Sequence, residues 1–199
     1  MLFRLARIPL HVSGVEQLPG ERTCVVVANH ASYLDGMVLI AALPVSLGFV
    51  AKAELGRRFI PRIFLRRIGA GFVERFDKQR GVADARHIAQ EVRAGHSLLF
   101  FPEGTFTRMP GLLPFHMGAF VAAAEAAAPL VPVTIRGTRS ILRADSWFPH
   151  AGAVSVLVGE PVMPEGTDWA AAVKLRDMAR AAILQRITEP DLDLERPVP

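Results

Sequence analysis

The sequence predicts an α/β protein with one mixed, largely parallel sheet flanked by helices. Short apolar runs of strand length alternate along the 199 residues with longer segments of helical pattern. Polar motifs follow directly after two of the apolar runs, and ligands bind at this edge of open α/β sheets. The length suits a single domain. We therefore predict one domain over residues 1–188 and an acidic, proline-rich, frayed tail over residues 189–199.

Six apolar runs predict the strands, at residues 22–28, 46–51, 70–75, 97–101, 130–135 and 153–158. The run at 130–135 contains Pro132, which has no N–H to donate to a sheet, and so predicts an edge strand or a bulge. Before the first run, residues 11–19 predict an initial turn, because a Leu-Pro-Gly sequence follows there.

Four segments predict helices, at residues 34–43, 81–94, 119–128 and 167–187. The first is apolar nearly all round, which is typical of a covered helix, and Pro44 ends it. The second has one apolar face and stops at Gly95. The third is rich in alanine and stops at Pro129.

A further helix is predicted within residues 52–71, where Arg58, Arg62 and Arg66 recur every four residues among aliphatic side chains. A basic stripe beside an apolar stripe is typical of helices that lie on a membrane surface. An ordinary amphipathic helix with a solvated arginine face would show the same pattern. If the stripe binds membranes, replacing the three arginines by glutamate should weaken binding to anionic vesicles.

Composition narrows the classes of function. One cysteine, Cys24, excludes an intrachain disulfide. A net charge of +4 and 51% apolar residues fit an anionic partner such as a lipid surface or a phosphate substrate. No run of about 20 apolar residues is present to predict a membrane span. The first ten residues are too short for a secretory signal, and we expect the stub of an anchoring helix or a domain cut from a longer chain.

His30 and Asp35 follow the first strand at a spacing that is informative. Residues five apart do not face each other on one helix or on one strand, so they meet only if the chain turns between them. Ser32, a good N-cap residue, would supply the turn. The carboxylate could then orient the imidazole as a general base for a substrate hydroxyl. Two alternatives stay open: Asp35 could serve only in a capping box with Ser32, and His30 could be a half-buried structural histidine.

The run at 97–101 leads into Pro102-Glu-Gly-Thr105. Glycine allows close approach of the backbone, and exposed N–H groups in such a turn can hold an anion. Glu103 at this strand end is either a ligand contact or a solvated turn residue.

Taken together, four ordered blocks resemble the glycerolipid acyltransferase superfamily, and in particular the PlsC-type 1-acylglycerol-3-phosphate acyltransferases. The resemblance covers about residues 11–160. The blocks are Asn29-His30 with Asp35, Phe72-Val-Glu-Arg75, Phe101-Pro-Glu-Gly-Thr105 and Val131-Pro-Val133.

The resemblance implies the fold of that superfamily and a role for each matching position. His30 would deprotonate the acceptor hydroxyl for attack on an acyl thioester, and Asp35 would orient His30. The glycerol-phosphate end of the acceptor would contact Arg75, Glu103, Gly104 and Thr105, while the strand of Pro132 would shape the acyl-donor pocket. No metal and no bound cofactor would be required.

Two departures from the family pattern bear on the substrate. The family commonly places arginine where this chain has Phe106. Arg108, Arg75 or Arg139 would then have to hold the phosphate, or the acceptor is a different lysolipid. The family's longer hydrophobic N-terminal segment is nearly missing, which suggests peripheral membrane attachment or a domain that is tethered by a partner or a lost neighbour.

The predicted activity is therefore transfer of a fatty acyl group from acyl-CoA or acyl carrier protein to a lysophospholipid. We expect this at the cytoplasmic face of the membrane, with peripheral attachment and without a nucleic-acid partner. A hydrolase that uses His30 and Asp35 on water is one alternative, although no Gly-x-Ser-x-Gly elbow is present. A lipid-binding module without catalysis is the other.

Overall fold

The computed structural model describes residues 8–44, 47–52, 72–76, 81–144, 146 and 148–193, and at 49–52, 72–76 and 81–86 it describes the backbone alone. The predicted basic helix with Arg58, Arg62 and Arg66 lies outside the described residues, so that interpretation stays a prediction.

Within these residues, seven strands form one sheet. The strands are β1 Leu10–Ser13, β2 Val25–Ala28, β3 Gly48–Lys52, β4 Phe72–Phe76, β5 Leu98–Phe100, β6 Leu130–Arg136 and β7 Val154–Val158. Their order across the sheet is β1-β7-β6-β2-β5-β3-β4. Every neighbouring pair is parallel except β6 with β7. The prediction of a mixed, largely parallel sheet is confirmed.

The described helices are α1 Asp35–Ala42, α2 Gly81–Arg93, α3 Gly118–Glu125, the short α4 Thr138–Ile141, and α5 Trp169–Leu184. All four helices predicted in this part of the chain are present, with ends within a few residues of those expected. Asp168 caps α5, because its carboxylate accepts a hydrogen bond from the Ala171 N–H at 2.9 Å. No helix in the described part of the chain combines the length and apolarity that crossing a membrane requires.

Buried side chains form two clusters, one on each face of the sheet. On β2, Val25 and Val27 belong to the cluster beneath α2, α3 and α5, whereas Val26 and Ala28 belong to the cluster beneath α1 and α4. This division follows from the alternation of side chains along a strand. Both faces of β2 are covered, which explains why its sequence is an unbroken apolar run.

The prediction that Pro132 marks an edge strand is wrong, because β6 lies between β2 and β7. The carbonyl of Pro132 accepts from Gly159 N at 2.8 Å. Since N and C=O of a strand residue point to the same side, the proline nitrogen also faces the end of β7, where Val158 completes the regular pairing. The missing donor therefore lies at the end of the β6–β7 ladder, where it costs at most the terminal hydrogen bond of the pairing.

Two terminal predictions also need correction. Residues 10–13 form the edge strand β1, paired parallel to β7, instead of an initial turn. Most of its side chains are exposed, so the apolar signal of a strand is weak there. Residues 189–193 are not frayed: Leu112 and Asp191 form a bridge, with hydrogen bonds from Leu112 N to Pro190 O and from Leu192 N to Leu112 O. The domain boundary at residue 188 stays a prediction.

Candidate active site

Asn29 fixes the point where the chain leaves β2. Its side chain donates to Ile135 O at 2.9 Å and accepts from Ile135 N at 2.7 Å. The register of β2 on β6 ends at Ala28 opposite Val133, so Ile135 has no strand partner on that side. The buried amide replaces the missing strand. It therefore allows the next residue, His30, to turn away from the sheet edge.

His30 and Asp35 meet, as their spacing predicts. The two atoms Nδ1 of His30 and Oδ2 of Asp35 lie 2.8 Å apart. The Asp35 side chain is fully buried, and 19% of the His30 side chain is exposed. A carboxylate only accepts hydrogen bonds, so this contact places the proton of a neutral imidazole on Nδ1 and leaves a lone pair on Nε2.

Asp35 also holds the turn between the two residues. Its Oδ2 accepts from Ala31 N at 2.6 Å and from Ser32 N at 2.8 Å, so one oxygen contacts both the imidazole and the backbone that leads into α1. Ser32 is not the N-cap residue of α1, because Leu34 occupies that position. The Ser32 hydroxyl instead donates to Leu142 O at 2.7 Å and accepts from Leu34 N at 3.2 Å, which attaches the turn to the segment after α4.

Glu103 is buried beneath the same turn. Its Oε1 accepts from the backbone N–H of His30 at 2.6 Å, and its Oε2 accepts from the backbone N–H of Leu113 at 2.9 Å. Burial raises the pKa of Glu103 to about 7; the two N–H groups oppose this rise, and the charges of Asp35 and Glu189 add to it. Glu103 thus contacts the backbone on both sides, as neither of the two sequence interpretations anticipated.

Aromatic rings surround the imidazole, and the sequence interpretation missed this role for them. Phe101 stacks on His30 with 4.2 Å between ring centroids, and Phe106 meets it edge-on at 4.5 Å. Tyr33 contacts Phe106 in turn at 4.8 Å. The position where the family commonly has arginine therefore carries a ring against the imidazole. The strand-end position of Phe101 and the departure at Phe106 were the available signals.

The three arginines predicted to contact the acceptor phosphate differ in their surroundings. Arg139 is hydrogen-bonded through two nitrogens to Glu189, at 2.8 and 2.9 Å, and also donates to Thr107 O. Arg108 is exposed, and within the described part of the chain no side-chain partner contacts it. Arg75 lies on β4, for which only the backbone is described, and β5 and β3 separate that strand from β2.

The turn after β5 needs a glycine, as expected, but its Gly104 N–H is used within the turn, and anion binding there stays a prediction. Gly104 has φ 66°, a conformation that favours glycine, and its N donates to Phe101 O at 2.9 Å. Thr105 is exposed. Among the described residues no three His, Cys, Asp or Glu side chains come together as a metal site would require.

Comparison with known proteins gives consistent results. A model of the acyltransferase family matches residues 9–136, a range that contains His30, Asp35 and Glu103. The chain is 35% identical over 161 residues to the chloroplastic 1-acyl-sn-glycerol-3-phosphate acyltransferase BAT2 of Brassica napus, covering 79% of this chain and 46% of that protein. It is 33% identical to human 1-acyl-sn-glycerol-3-phosphate acyltransferase beta, covering 84% of this chain and 60% of that protein.

A solved structure agrees over nearly the whole chain. The crystal structure of the 1-acyl-sn-glycerophosphate (LPA) acyltransferase PlsC from Thermotoga maritima superimposes with a TM-score of 0.75 at 26% identity, covering 99% of this chain and 76% of that one. The chain spans about half of the length of the two sequence relatives just described. The family model covers more than half of the chain, and the matched range includes the complete His30–Asp35 turn. This chain therefore belongs to the acyltransferase family.

Proposed function

We propose that this chain transfers a fatty acyl group from a thioester, acyl-CoA or acyl carrier protein, to the free hydroxyl of a lysophospholipid. The acceptor that the names of the relatives favour is 1-acylglycerol-3-phosphate. The observation that carries the proposal is the 2.8 Å contact between a partly exposed imidazole and a fully buried carboxylate, His30 and Asp35. The chain offers this pair at the edge of the sheet, in an α/β fold shared with the Thermotoga maritima enzyme.

The proposed reaction follows from this geometry. Asp35 holds the Nδ1 proton, so Nε2 of His30 accepts the proton of the substrate hydroxyl while the hydroxyl oxygen attacks the thioester carbonyl carbon. The tetrahedral intermediate collapses with cleavage of the C–S bond. The leaving sulfur takes the proton from Nε2, which restores neutral His30. Asp35 stabilises the transient imidazolium without becoming protonated.

The surroundings of His30 support a lipid substrate. Phe101 and Phe106 cover two sides of the ring, so water is partly excluded and apolar surface is available next to the base. Glu103 fixes the backbone of His30, which supports positioning of the base. Positioning can supply about 7–11 kcal/mol of a bimolecular barrier. In this proposal Glu103 positions His30 from within the protein, and Gly104 and Thr105 remain the predicted contacts of the acceptor in the turn.

For the acceptor phosphate, the proposal favours Arg108 over Arg139. Arg139 already has Glu189 as a bidentate partner, and releasing it would leave that carboxylate without its guanidinium. Arg108 is exposed on the loop that carries Phe106. Arg75 stays a candidate from the family pattern alone.

We also propose peripheral attachment to the cytoplasmic face of a membrane. Three exposed apolar side chains support it: Tyr33, Met109 and Phe148, with 54%, 73% and 81% of their surface exposed. Their loops adjoin one another, because Tyr33 contacts Phe106 and the Ser32 hydroxyl bonds Leu142 O. Exposed apolar groups together with the net charge of +4 fit an anionic lipid surface.

The decisive experiment measures thiol release by the purified chain with acyl-CoA or acyl carrier protein thioesters and a panel of lysolipids. We expect acceptor-dependent release that falls about 10²–10⁴-fold in H30A, because a general base contributes that much. Release without any acceptor would instead identify a hydrolase. Lipid binding with no release, in either protein, would identify a binding module and reject the proposal.

A further inference from the structure

The segment 189–192, here called the strap, is attached to the loop between β5 and α3 along its whole length. Leu112 exchanges backbone hydrogen bonds with Pro190 and Leu192, at 2.9 and 3.1 Å. A Cβ added at Gly111 would overlap with the side chain of Leu192. Loop and strap are therefore in close contact at that glycine, and a larger residue there would require Leu192 to move.

One ion pair ties the strap to the loop from the outside. Arg139 donates to both carboxylate oxygens of Glu189, and the same carboxylate accepts from Gly111 N at 2.8 Å. Arg139 also donates to Thr107 O. The Glu189–Arg139 pair therefore joins the strap and α4 to two positions of the loop: Glu189 contacts Gly111, and Arg139 contacts Thr107. Ordinary surface ion pairs make no such additional contacts.

A second ion pair ties the strap to the core. Arg180 of α5 is buried, is hydrogen-bonded to Asp191, and donates to Leu113 O at 2.7 Å and to Leu112 O at 3.1 Å. Its guanidinium also lies over the ring of Phe115 at 4.9 Å. The Arg180 guanidinium thus holds the carbonyls of both Leu112 and Leu113, and Leu112 is also bonded to the backbone of the strap.

Leu113 also connects the loop to the candidate base, His30. Leu113 N donates to Oε2 of Glu103, and the other oxygen of Glu103 accepts from His30 N. A continuous set of hydrogen bonds therefore runs from the strap through Leu113 and Glu103 to the backbone of His30.

We propose that the strap positions His30: Glu189 and Asp191, with Arg139 and Arg180, hold the loop so that Leu113 and Glu103 fix the His30 backbone. This inference rests on the proposed function, because it assigns Glu189 as a positioning residue for the general base. It also gives Arg139 a role that differs from phosphate binding. The strap touches none of the proposed reacting atoms, so its removal acts on the rate through geometry.

The test compares E189A with the matched control E165A. Glu165 also pairs with a cation, Lys174, but both side chains are exposed and lie outside this network. Amide hydrogen exchange of the full chain is followed by NMR at His30 and Leu113, and kcat and KM for the acceptor are measured in parallel. We expect exchange at both amides to rise about tenfold in E189A, which is the effect of losing about one hydrogen bond to a charged group. We also expect kcat to fall about tenfold, while KM changes less than twofold and E165A matches the parent.

Faster exchange at Gly111 alone, with His30 and Leu113 unchanged, would overturn the proposal. A rise in acceptor KM at unchanged kcat would also overturn it, since that pattern belongs to a substrate contact. If E189A does not fold, E189Q replaces it, because the amide oxygen keeps one acceptor for the loop. A parent chain without acyltransferase activity would reject the proposed function, and the exchange measurement would still decide whether the strap holds His30.

Discussion

The carboxylate of Glu103 has no free oxygen: one accepts from His30 N and the other from Leu113 N. Both N–H groups favour the ionised form, because a carboxylate is the stronger acceptor. Burial nevertheless opposes ionisation, and the negative charges of Asp35 and Glu189 add to that opposition. The residue that fixes the candidate base therefore has its pKa raised to about 7, so it changes its protonation state near neutral pH.

A pH dependence of stability follows. The pKa of Glu103 is about 7 in the folded chain and is expected near 4.5 in the unfolded chain. Between these values the folded state binds more protons, so stability falls as pH rises through the window. The difference in unfolding free energy between parent and E103Q should therefore decrease by about 1.4 kcal/mol for each unit of pKa difference. Urea denaturation at about pH 5 and about pH 8 measures it, and a difference that stays constant would contradict the raised pKa.

Replacing Arg108 and replacing Arg139 should have different effects, the first on substrate binding and the second on stability. R108A should raise KM for 1-acylglycerol-3-phosphate about tenfold with little change in stability, because in the proposed function the lost contact is with the substrate phosphate. R139A should instead lower the free energy of unfolding, since Glu189 and Thr107 O lose their partner. Steady-state kinetics and urea denaturation separate the two effects, with exposed Arg186 replaced by alanine as the control. An acceptor KM that rises in R139A and not in R108A would reverse the assignment.

At the scale of the elements, the end of β2 decides where the candidate base stands. Parallel strands β5 and β6 continue the sheet on either side of β2, yet the chain must leave this central position to form the turn. Asn29 makes that exit possible by satisfying Ile135 in place of a further strand residue. This role of Asn29 explains why the polar motif begins one residue before His30.

Replacing Asn29 should therefore destabilise the sheet. N29A leaves the buried N–H and C=O of Ile135 without partners, and each such group costs about 1–3 kcal/mol. We expect the free energy of unfolding to fall by about 2–5 kcal/mol in urea denaturation. The control is Q90A, at an exposed amide on α2, which should stay within about 0.5 kcal/mol of the parent. Equal stability of N29A and Q90A would show that another group or water satisfies Ile135.

At the scale of the whole molecule, six of the eight large apolar side chains that are exposed in the described part of the chain lie in two groups. Tyr33, Met109 and Phe148 lie on the loops around the candidate site, whereas Met163, Trp169 and Met178 lie on or beside α5. A membrane-bound substrate requires only the first region to face the lipid. The second region thus provides a matched comparison within the same chain.

Serine at Tyr33, Met109 and Phe148 should weaken partition into anionic vesicles at least about tenfold, because burying a large apolar side chain contributes about 1.5–3 kcal/mol. Serine at Met163, Trp169 and Met178 should leave the partition near that of the parent. Vesicle co-sedimentation at low and high salt measures both, and salt should weaken the binding of either protein. A larger loss from the second set would place the membrane contact on α5.

Much of the architecture is predictable from local pattern. The apolar run at Val25–Ala28 indicates a strand covered on both faces, and the spacing of His30 and Asp35 lets their side chains meet only across a turn. Helix ends follow from proline, glycine and the cap at Asp168. These features depend on residues a few positions apart, whose relative directions the backbone geometry determines. The amino-acid sequence by itself thus determined the fold class and the candidate dyad.

The partners of Glu103 and Arg139 were decided only by the tertiary structure. Glu103 reaches His30 73 residues away, and Arg139 reaches Glu189 50 residues away. Such pairings depend on which strands are neighbours and on where the chain returns after α5, and no local periodicity encodes that order. For the same reason Pro132 lies inside the sheet beside the end of β7, and residues 189–193 are docked. The spacing in the sequence determined which side chains are candidates for the site. Long-range packing decided which of these side chains are bound within the protein and which remain accessible to a substrate.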